Sequence, residues 1–168
     1  MARHRVAIVW LRRALRLADN PALAAALEMA ETVVPVAVWP SAEGPDTPGA
    51  ASRAWLARSL AALDTSLRER GSQLVVRAGD PADVLPTLAA ECGATLVCPD
   101  LAHEPVGDAA DAATAAALED AGVVMRGFDC AQDAWRVAAG TDGDHGVARP
   151  AERQHLAREH LLEAVVVA

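Results

Sequence analysis

Five short runs rich in β-branched and other apolar residues alternate with helical segments along this chain. The apolar runs cover residues 5–10, 32–39, 73–77, 95–98 and 123–126. Apolar residues recur at helical spacing over residues 51–70, and an alanine-rich helix is predicted over residues 108–121. This alternation predicts an α/β fold, with a five-stranded parallel, Rossmann-like sheet, helices on both faces and right-handed crossovers.

Helix boundary signals support the same pattern. Asn20 and Asp80 each precede a proline, which predicts two N-caps with proline at the first helical position. Gly71 and Gly93 follow helical segments and are predicted as C-caps. Pro35 weakens the second strand prediction, because proline cannot donate to a ladder.

The periodic pattern fades after the fifth run. We predict an α/β domain over residues 1–130, a linker over 131–150 that is rich in Gly and Asp, and a C-terminal helix over 151–168. No apolar run is long enough for a membrane span. The basic and then apolar N-terminus is too short for a signal peptide and lacks a small-residue cleavage site, so we predict a cytoplasmic protein without a membrane partner.

The net charge of −8 argues against direct DNA binding by this chain, because phosphate contacts need a basic surface. Arg12, Arg13 and Arg16 form one local basic cluster. A solvated turn is the simpler interpretation of that cluster. A small basic binding site stays open.

Other chemistry-bearing patterns favour structural roles. The three cysteines, Cys92, Cys98 and Cys130, show no metal-ligand spacing and are predicted to be reduced, with the first two packing in the interior. Pairs of His and Glu one helical turn apart in residues 155–163 lack a third ligand, so no metal site is predicted. The chain has no GxGxxG, GxxxxGK[ST] or GxSxG motif, which argues against the usual dinucleotide loop, the P-loop and the nucleophile elbow.

Ligands of parallel α/β folds bind at the carboxyl ends of the strands. The segments that follow Trp10, Trp39, Ala78 and Cys98 are therefore where a site is expected. The His-Glu pair at residues 103–104 lies just past the fourth run. Its position is equally consistent with a ligand site and with an ordinary polar loop.

Four ordered segments carry a family resemblance. Residues 9–17 (VWLRRALRL) with 19–23 (DNPAL), then 60–71, 74–81 (LVVRAGDP), and 103–105 (HEP) with Asp111 resemble the N-terminal domain of DNA photolyases and cryptochromes. The resemblance extends from residue 5 to about residue 129.

The resemblance implies an α/β unit that can hold a light-harvesting antenna chromophore: a folate, a deazaflavin or a flavin. In the family a following helical domain holds FAD, binds the DNA lesion and transfers the electron, so FAD and photorepair are not expected of this chain alone. No catalytic residue is assigned. The candidate cofactor-binding residues, from strand ends and resemblance together, are Arg12, Trp39, Arg53, Asp100, His103 and Glu104.

This chain departs from the family pattern at five positions. The departures weaken the implied contact with an FAD domain and the implied contact with an antenna chromophore. Ala14 and Ala110 replace an Asp and an Arg that help join the two domains of relatives, and Ala102, Val106 and Gly107 replace polar contacts to the antenna. Each unpaired buried polar group on a ligand costs about 1–3 kcal/mol. We interpret the departures as adaptation to the absence of a second domain, while a recent truncation stays open.

Three hypotheses follow for the function. The first is a stand-alone module that binds a small aromatic or nucleotide-like ligand. The second is a truncated or split deoxyribodipyrimidine photolyase whose FAD domain is a separate chain. The third is a ligand-free interaction domain that binds a protein partner or a second copy of itself through the apolar residues of its C-terminal helix, residues 151–168.

Overall fold

Parallel strands and helices alternate throughout the computed structural model, which describes residues 3–39, 48–101 and 105–129, with only the backbone given for 105–108. The elements in chain order are β1 (His4–Trp10), α1 (Pro21–Met29), β2 (Ala30–Trp39), α2 (Ala50–Arg68), β3 (Val75–Ala78), α3 (Pro81–Cys92), β4 (Leu96–Pro99), α4 (Pro105–Asp120) and β5 (Val124–Met125). The predicted linker and C-terminal helix lie outside the described residues.

The five strands form one parallel sheet in the order β3-β2-β1-β4-β5, which confirms the predicted α/β fold. Leu23 of α1 and Leu67 of α2 pack on one face of the sheet. Leu85 of α3 and Leu118 of α4 pack on the other face. Because β1 lies in the centre and is covered on both sides, its last four residues are all buried.

The predicted N-caps are present. The Asn20 side chain accepts from the Leu23 N–H at 3.0 Å, and the Asp80 side chain accepts from the Ala82 N–H at 2.9 Å. Helix α3 ends as predicted, with Gly93 in the left-handed conformation at φ 70°. These caps satisfy N–H groups that have no partner inside a helix, so they fix where α1 and α3 begin.

Two predicted helix boundaries need correction. Helix α2 ends at Arg68 rather than residue 70, and its C-cap is Glu69 instead of Gly71. Gly71 still adopts the left-handed conformation, at φ 76°. The N–H of the following residue, Ser72, donates to the Leu67 carbonyl. Helix α4 begins at Pro105, three residues before the predicted start, because proline needs no N–H partner in a first helical turn.

Strand predictions differ from the structure mainly in length. Strand β5 has only two residues, while β2 begins two residues earlier than predicted and contains Pro35. Pro35 pairs in register with Val9 of β1, and the pairing of β2 with β3 begins at Val36. The missing N–H of Pro35 is therefore tolerated, since it precedes the stretch where β2 has partners on both sides.

Asp64 links α2 to the start of β3. Its carboxylate accepts from the Leu74 N–H at 2.9 Å and pairs with Arg68 at 2.7 Å. The Leu74 hydrogen bond, followed by the Arg68 contact, lowers the pKa of Asp64 below its ordinary value.

We predict that Asp64→Asn lowers the free energy of unfolding by about 1 kcal/mol near neutral pH. A carboxyl whose pKa is lowered by folding stabilises the protein above its unfolded pKa, and this contribution disappears as the pH falls through the folded pKa. The difference between wild type and Asp64→Asn should therefore shrink in acid, as measured by urea denaturation across pH. Glu69→Gln, which changes an exposed carboxylate, is the control, and an equal pH dependence in both variants would contradict the assignment.

No helix in the described part of the chain is long and apolar enough to cross a membrane.

Candidate ligand site at the carboxyl edge of the sheet

The strand order brings the carboxyl ends of β2, β1 and β4 together at one edge. Adjacent strands are about 4.8 Å apart, so these three ends lie within about 10 Å of one another. The helices that follow β1 and β2 cover one face, and the helix that follows β4 covers the other. The point between β1 and β4 is thus the switch point where ligands of such sheets bind.

Arg12 lies two residues after the end of β1 and occupies this switch point. Its Nη1 and Nη2 donate to the two carboxylate oxygens of Asp111 in α4, at 2.5 and 3.0 Å. Its Nε donates to the carbonyl oxygen of Asp100, at 3.1 Å, and Nη2 contacts the same carbonyl. The two parallel bonds to Asp111 form the forked geometry that guanidinium and carboxylate groups favour.

Asp100 follows β4 and is buried, with 3% of its side chain exposed. Its Oδ2 accepts from the backbone N–H groups of Arg13 and Ala14, at 2.9 and 2.6 Å, and its Oδ1 lies 3.4 Å from Arg12 Nε. The carboxylate therefore fixes the chain turn after β1. Ala14 is itself buried in the core, so packing accounts for a small residue at this position.

Trp10 completes the cluster beneath Arg12. The guanidinium carbon lies 4.1 Å from the centre of the Trp10 ring, which is a cation–π contact in a buried setting. Trp10 is 1% exposed, and its Nε1 has no hydrogen-bond partner among the described residues. We call Trp10, Arg12, Asp100 and Asp111 the switch-point cluster.

Trp39 lies at the end of β2, the strand that pairs with β1, and Arg53 lies in α2. Trp39 ends β2 and is partly exposed, with its carbonyl accepting from the Gly79 N–H at 3.2 Å. Arg53 lies in the first turns of α2 and donates from Nη1 to the Pro48 carbonyl, at 2.6 Å. Residues 40–47, which connect β2 to α2, lie outside the described part of the chain.

The structure brings together two of the six predicted site residues, Arg12 and Asp100. No hydrogen bond in the described ranges joins Trp39 or Arg53 to them. His103 and Glu104 lie outside the described residues, as does the Ala102 position. Ligand binding by all six residues stays a prediction.

Sequence reasoning missed Asp111 as the ionic partner of Arg12. The two residues are 99 positions apart, and no periodicity in the sequence relates them. The available signal was the family resemblance, in which Arg12 and Asp111 belong to two separate matched segments. A charged residue in each of two such segments suggests an ion pair that joins them.

The described residues contain neither a metal site nor a reactive cysteine thiol. No group of three or more His, Cys, Asp or Glu side chains there is arranged to hold a metal ion. Cys98 is buried, and desolvation raises the pKa of its thiol to about 12. Desolvation also raises the pKa of the half-buried Cys92. Both thiols are therefore protonated near neutral pH, as packing residues are.

Comparisons with known proteins agree with the fold. The family model for DNA photolyase matches residues 7–165. A deoxyribodipyrimidine photo-lyase of Agrobacterium fabrum is 42% identical over 121 residues, which are 72% of this chain and 25% of that protein. A cryptochrome DASH of Natronomonas pharaonis is also 42% identical, over 71% of this chain and 27% of its own length. This chain thus spans about a quarter of the length of these curated relatives.

Solved structures match as well. A class III photolyase from Agrobacterium tumefaciens superposes with a TM-score of 0.67 and 34% identity, over 86% of this chain and 34% of that one. An archaeal photolyase from Sulfolobus tokodaii has a TM-score of 0.66 and 25% identity, over 73% of this chain and 29% of that one. The chain belongs to the DNA photolyase family, and what it matches is the N-terminal domain of that family.

Proposed function

We propose that this photolyase-family domain is a binding module for a small aromatic ligand, either an antenna chromophore or a nucleotide-like molecule. The partly exposed Trp39, at the end of the strand next to the switch-point cluster, is the observation that carries the proposal. The structure of the Sulfolobus tokodaii photolyase contains two FAD molecules, which implies a novel light-harvesting cofactor in that protein. That relative supports a flavin as the ligand class, and the family resemblance adds a deazaflavin or a folate as alternatives.

In this proposal the switch-point cluster is the floor of the site. The Arg12 guanidinium is bound on one side by Asp111 and on another by the Asp100 carbonyl, so its position is fixed before a ligand arrives. A floor that is already ordered lowers the entropic cost of binding. The Arg12 side chain is 18% exposed, which leaves a small part of it for contact with a ligand.

Trp39 and Arg53 are the proposed ligand contacts above that floor. A partly exposed indole offers a flat apolar surface on which a fused ring system stacks. Arg53 is held by the neutral Pro48 carbonyl, so its positive charge suits an anionic tail of the ligand. We propose that His103 and Glu104, from the segment after β4, supply further polar contacts.

The test is a titration of the purified chain with riboflavin 5′-phosphate, a 5-deazaflavin and a reduced folate, followed by chromophore absorbance and fluorescence. We expect saturable binding of one of the three. Trp39→Ala should weaken it about 5- to 150-fold, because loss of a stacked ring costs about 1–3 kcal/mol. Trp55→Ala, which removes an indole that is 66% exposed on α2 and is not one of the proposed ligand contacts, should leave this affinity unchanged.

Absence of binding in all three titrations would contradict the proposal. Two hypotheses would then remain: a photolyase whose FAD domain is a separate chain, and a ligand-free domain that associates with a second copy of itself. In each of them, as in the proposal, direct DNA binding by this chain is not expected at a net charge of −8.

A further inference from the structure

A close contact between Gly127 and Leu101 lies next to the switch-point cluster. A Cβ atom added to Gly127 would be 2.7 Å from Leu101 Cγ and 3.0 Å from Leu101 Cδ1, and it would overlap Leu101 Cδ2. Non-bonded carbon atoms pack at about 3.5–4.0 Å, so no larger residue leaves room for Leu101 in this position. The φ angle of Gly127 is not in the left-handed region, so space rather than backbone conformation is what requires glycine here.

Backbone hydrogen bonds join the segment 126–128 to the end of β4. The Phe128 N–H donates to the Pro99 carbonyl at 3.0 Å, and the Leu101 N–H donates to the Phe128 carbonyl at 2.9 Å. These bonds lie on either side of Asp100, which itself pairs with Phe128 in a parallel bridge. Because Phe128 also packs against the hydrophobic cluster beneath α1 and α2, the segment 126–128 is a fixed edge along which Asp100 is aligned.

Asp100 connects this edge to Arg12. Its carbonyl accepts from Arg12 Nε at 3.1 Å, and its Oδ2 accepts from the backbone N–H groups of Arg13 and Ala14 at 2.9 and 2.6 Å. The Arg12 guanidinium carbon lies 4.1 Å from the centre of the Trp10 ring. Because hydrogen bonds weaken steeply outside a narrow range of distance and angle, a displaced Asp100 would leave the Arg12 guanidinium in a different position.

We propose that Gly127 is a positioning residue for the switch-point cluster. The space above its backbone fixes Leu101, and the neighbouring Asp100 then fixes the Arg12 guanidinium. Rotation about the Cβ–Cγ bond of Leu101 leaves Cγ in place, so that rotation alone does not make room for a side chain at residue 127. The importance of this position for ligand binding rests on the function proposed above, in which the cluster is the floor of the site.

NMR spectroscopy of the full, isotope-labelled chain without ligand tests the positioning role. Arg12 Nε is bonded to the guanidinium carbon that lies over the Trp10 ring, so the ring current of the indole affects the resonance of its proton. We expect Gly127→Ala to move this resonance while the circular dichroism spectrum stays that of a folded protein. Combining Gly127→Ala with Leu101→Ala should restore the resonance, because alanine at residue 101 removes the three atoms that crowd the added Cβ.

Gly49→Ala is the matched control. A Cβ atom added to Gly49 meets nothing within 4 Å, and the φ angle of −60° suits any residue. This glycine substitution should therefore leave the Arg12 Nε–H resonance where it is in wild-type protein.

A second measurement connects Gly127 to ligand binding. Whichever of riboflavin 5′-phosphate, the 5-deazaflavin and the reduced folate binds wild-type protein should bind Gly127→Ala about 2- to 30-fold more weakly, the range for changes that act on a site without contacting its ligand. The double variant should bind with nearly wild-type affinity. Absence of binding to wild-type protein would contradict the proposed function alone, because the NMR measurement on ligand-free protein decides the positioning role.

Two results would overturn the inference. The first is an unmoved Arg12 Nε–H resonance in folded Gly127→Ala protein, which would show that Leu101 makes room without displacing Asp100. The second is a double variant whose resonance stays displaced. If Gly127→Ala does not fold, a folded double variant with the wild-type resonance supports the inference, and an unfolded double variant contradicts it.

Discussion

Replacing Asp100 by alanine should lower the free energy of unfolding by about 3–5 kcal/mol, the range for removing one partner from a buried ionic network. The Asp100 side chain is 3% exposed and accepts from the backbone N–H groups of Arg13 and Ala14. Alanine removes the acceptor of both buried N–H groups, and each unsatisfied donor costs free energy. A loss of this size is a large share of the 5–15 kcal/mol that typically stabilises a domain.

Urea denaturation followed by far-ultraviolet circular dichroism measures this loss. Asp100→Asn separates charge from shape, because asparagine keeps one acceptor oxygen, and its effect should lie between those of wild type and alanine. Asp83→Ala is the control: Asp83 is an exposed acid in the first turn of α3, so its removal should cost under about 1 kcal/mol. An equally small effect of Asp100→Ala would contradict the role given to the buried carboxylate.

The pair formed by Arg12 and Asp111 should give the second large effect. Arg12→Leu and Asp111→Leu should each cost about 3–5 kcal/mol, because each leaves the partner charge in a mostly buried position. The side chains are 18% and 10% exposed and share two hydrogen bonds. The double variant should lose less than the sum of the two single losses, which gives a coupling free energy of about 1–3 kcal/mol.

Arg77 and Glu91 provide the control cycle for this measurement. Their charged groups are 3.7 Å apart, and their side chains are 43% and 48% exposed. Water and salt screen such a pair, so its coupling should be about 0–1 kcal/mol. Equal coupling in the two cycles would show that Arg12 and Asp111 do not form a buried pair in solution.

The fold was predictable because its signals are local. Asn20 with Pro21 and Asp80 with Pro81 mark helix starts through bonds that span two or three residues. The continuous apolar run of β1 follows from burial on both faces at the centre of the sheet. Helix α4 begins three residues earlier than predicted, with Pro105 as its first residue, a position that proline suits because it needs no N–H partner there.

The site was predictable only in part, since its contacts are non-local. Strand ends pointed to Arg12 and Asp100, which the fold does bring together. The bond from Arg12 to Asp111 connects residues 99 positions apart, so helical or strand periodicity carries no trace of it. The exposure of Trp55 was also missed, because its spacing fits the apolar face of α2 and only the packed structure shows that Leu60, Leu63 and Leu67 fill the core instead.

The identity of a small molecule that stays with the purified chain tests the proposed function most directly. Mass spectrometry of the extract, together with the absorption spectrum of the intact protein, is the measurement. We predict an equimolar flavin, deazaflavin, folate or related nucleotide that absorbs beyond the tryptophan band and is lost from Trp39→Ala. A protein that carries no such molecule, and acquires none when these compounds are supplied in excess, would contradict the account.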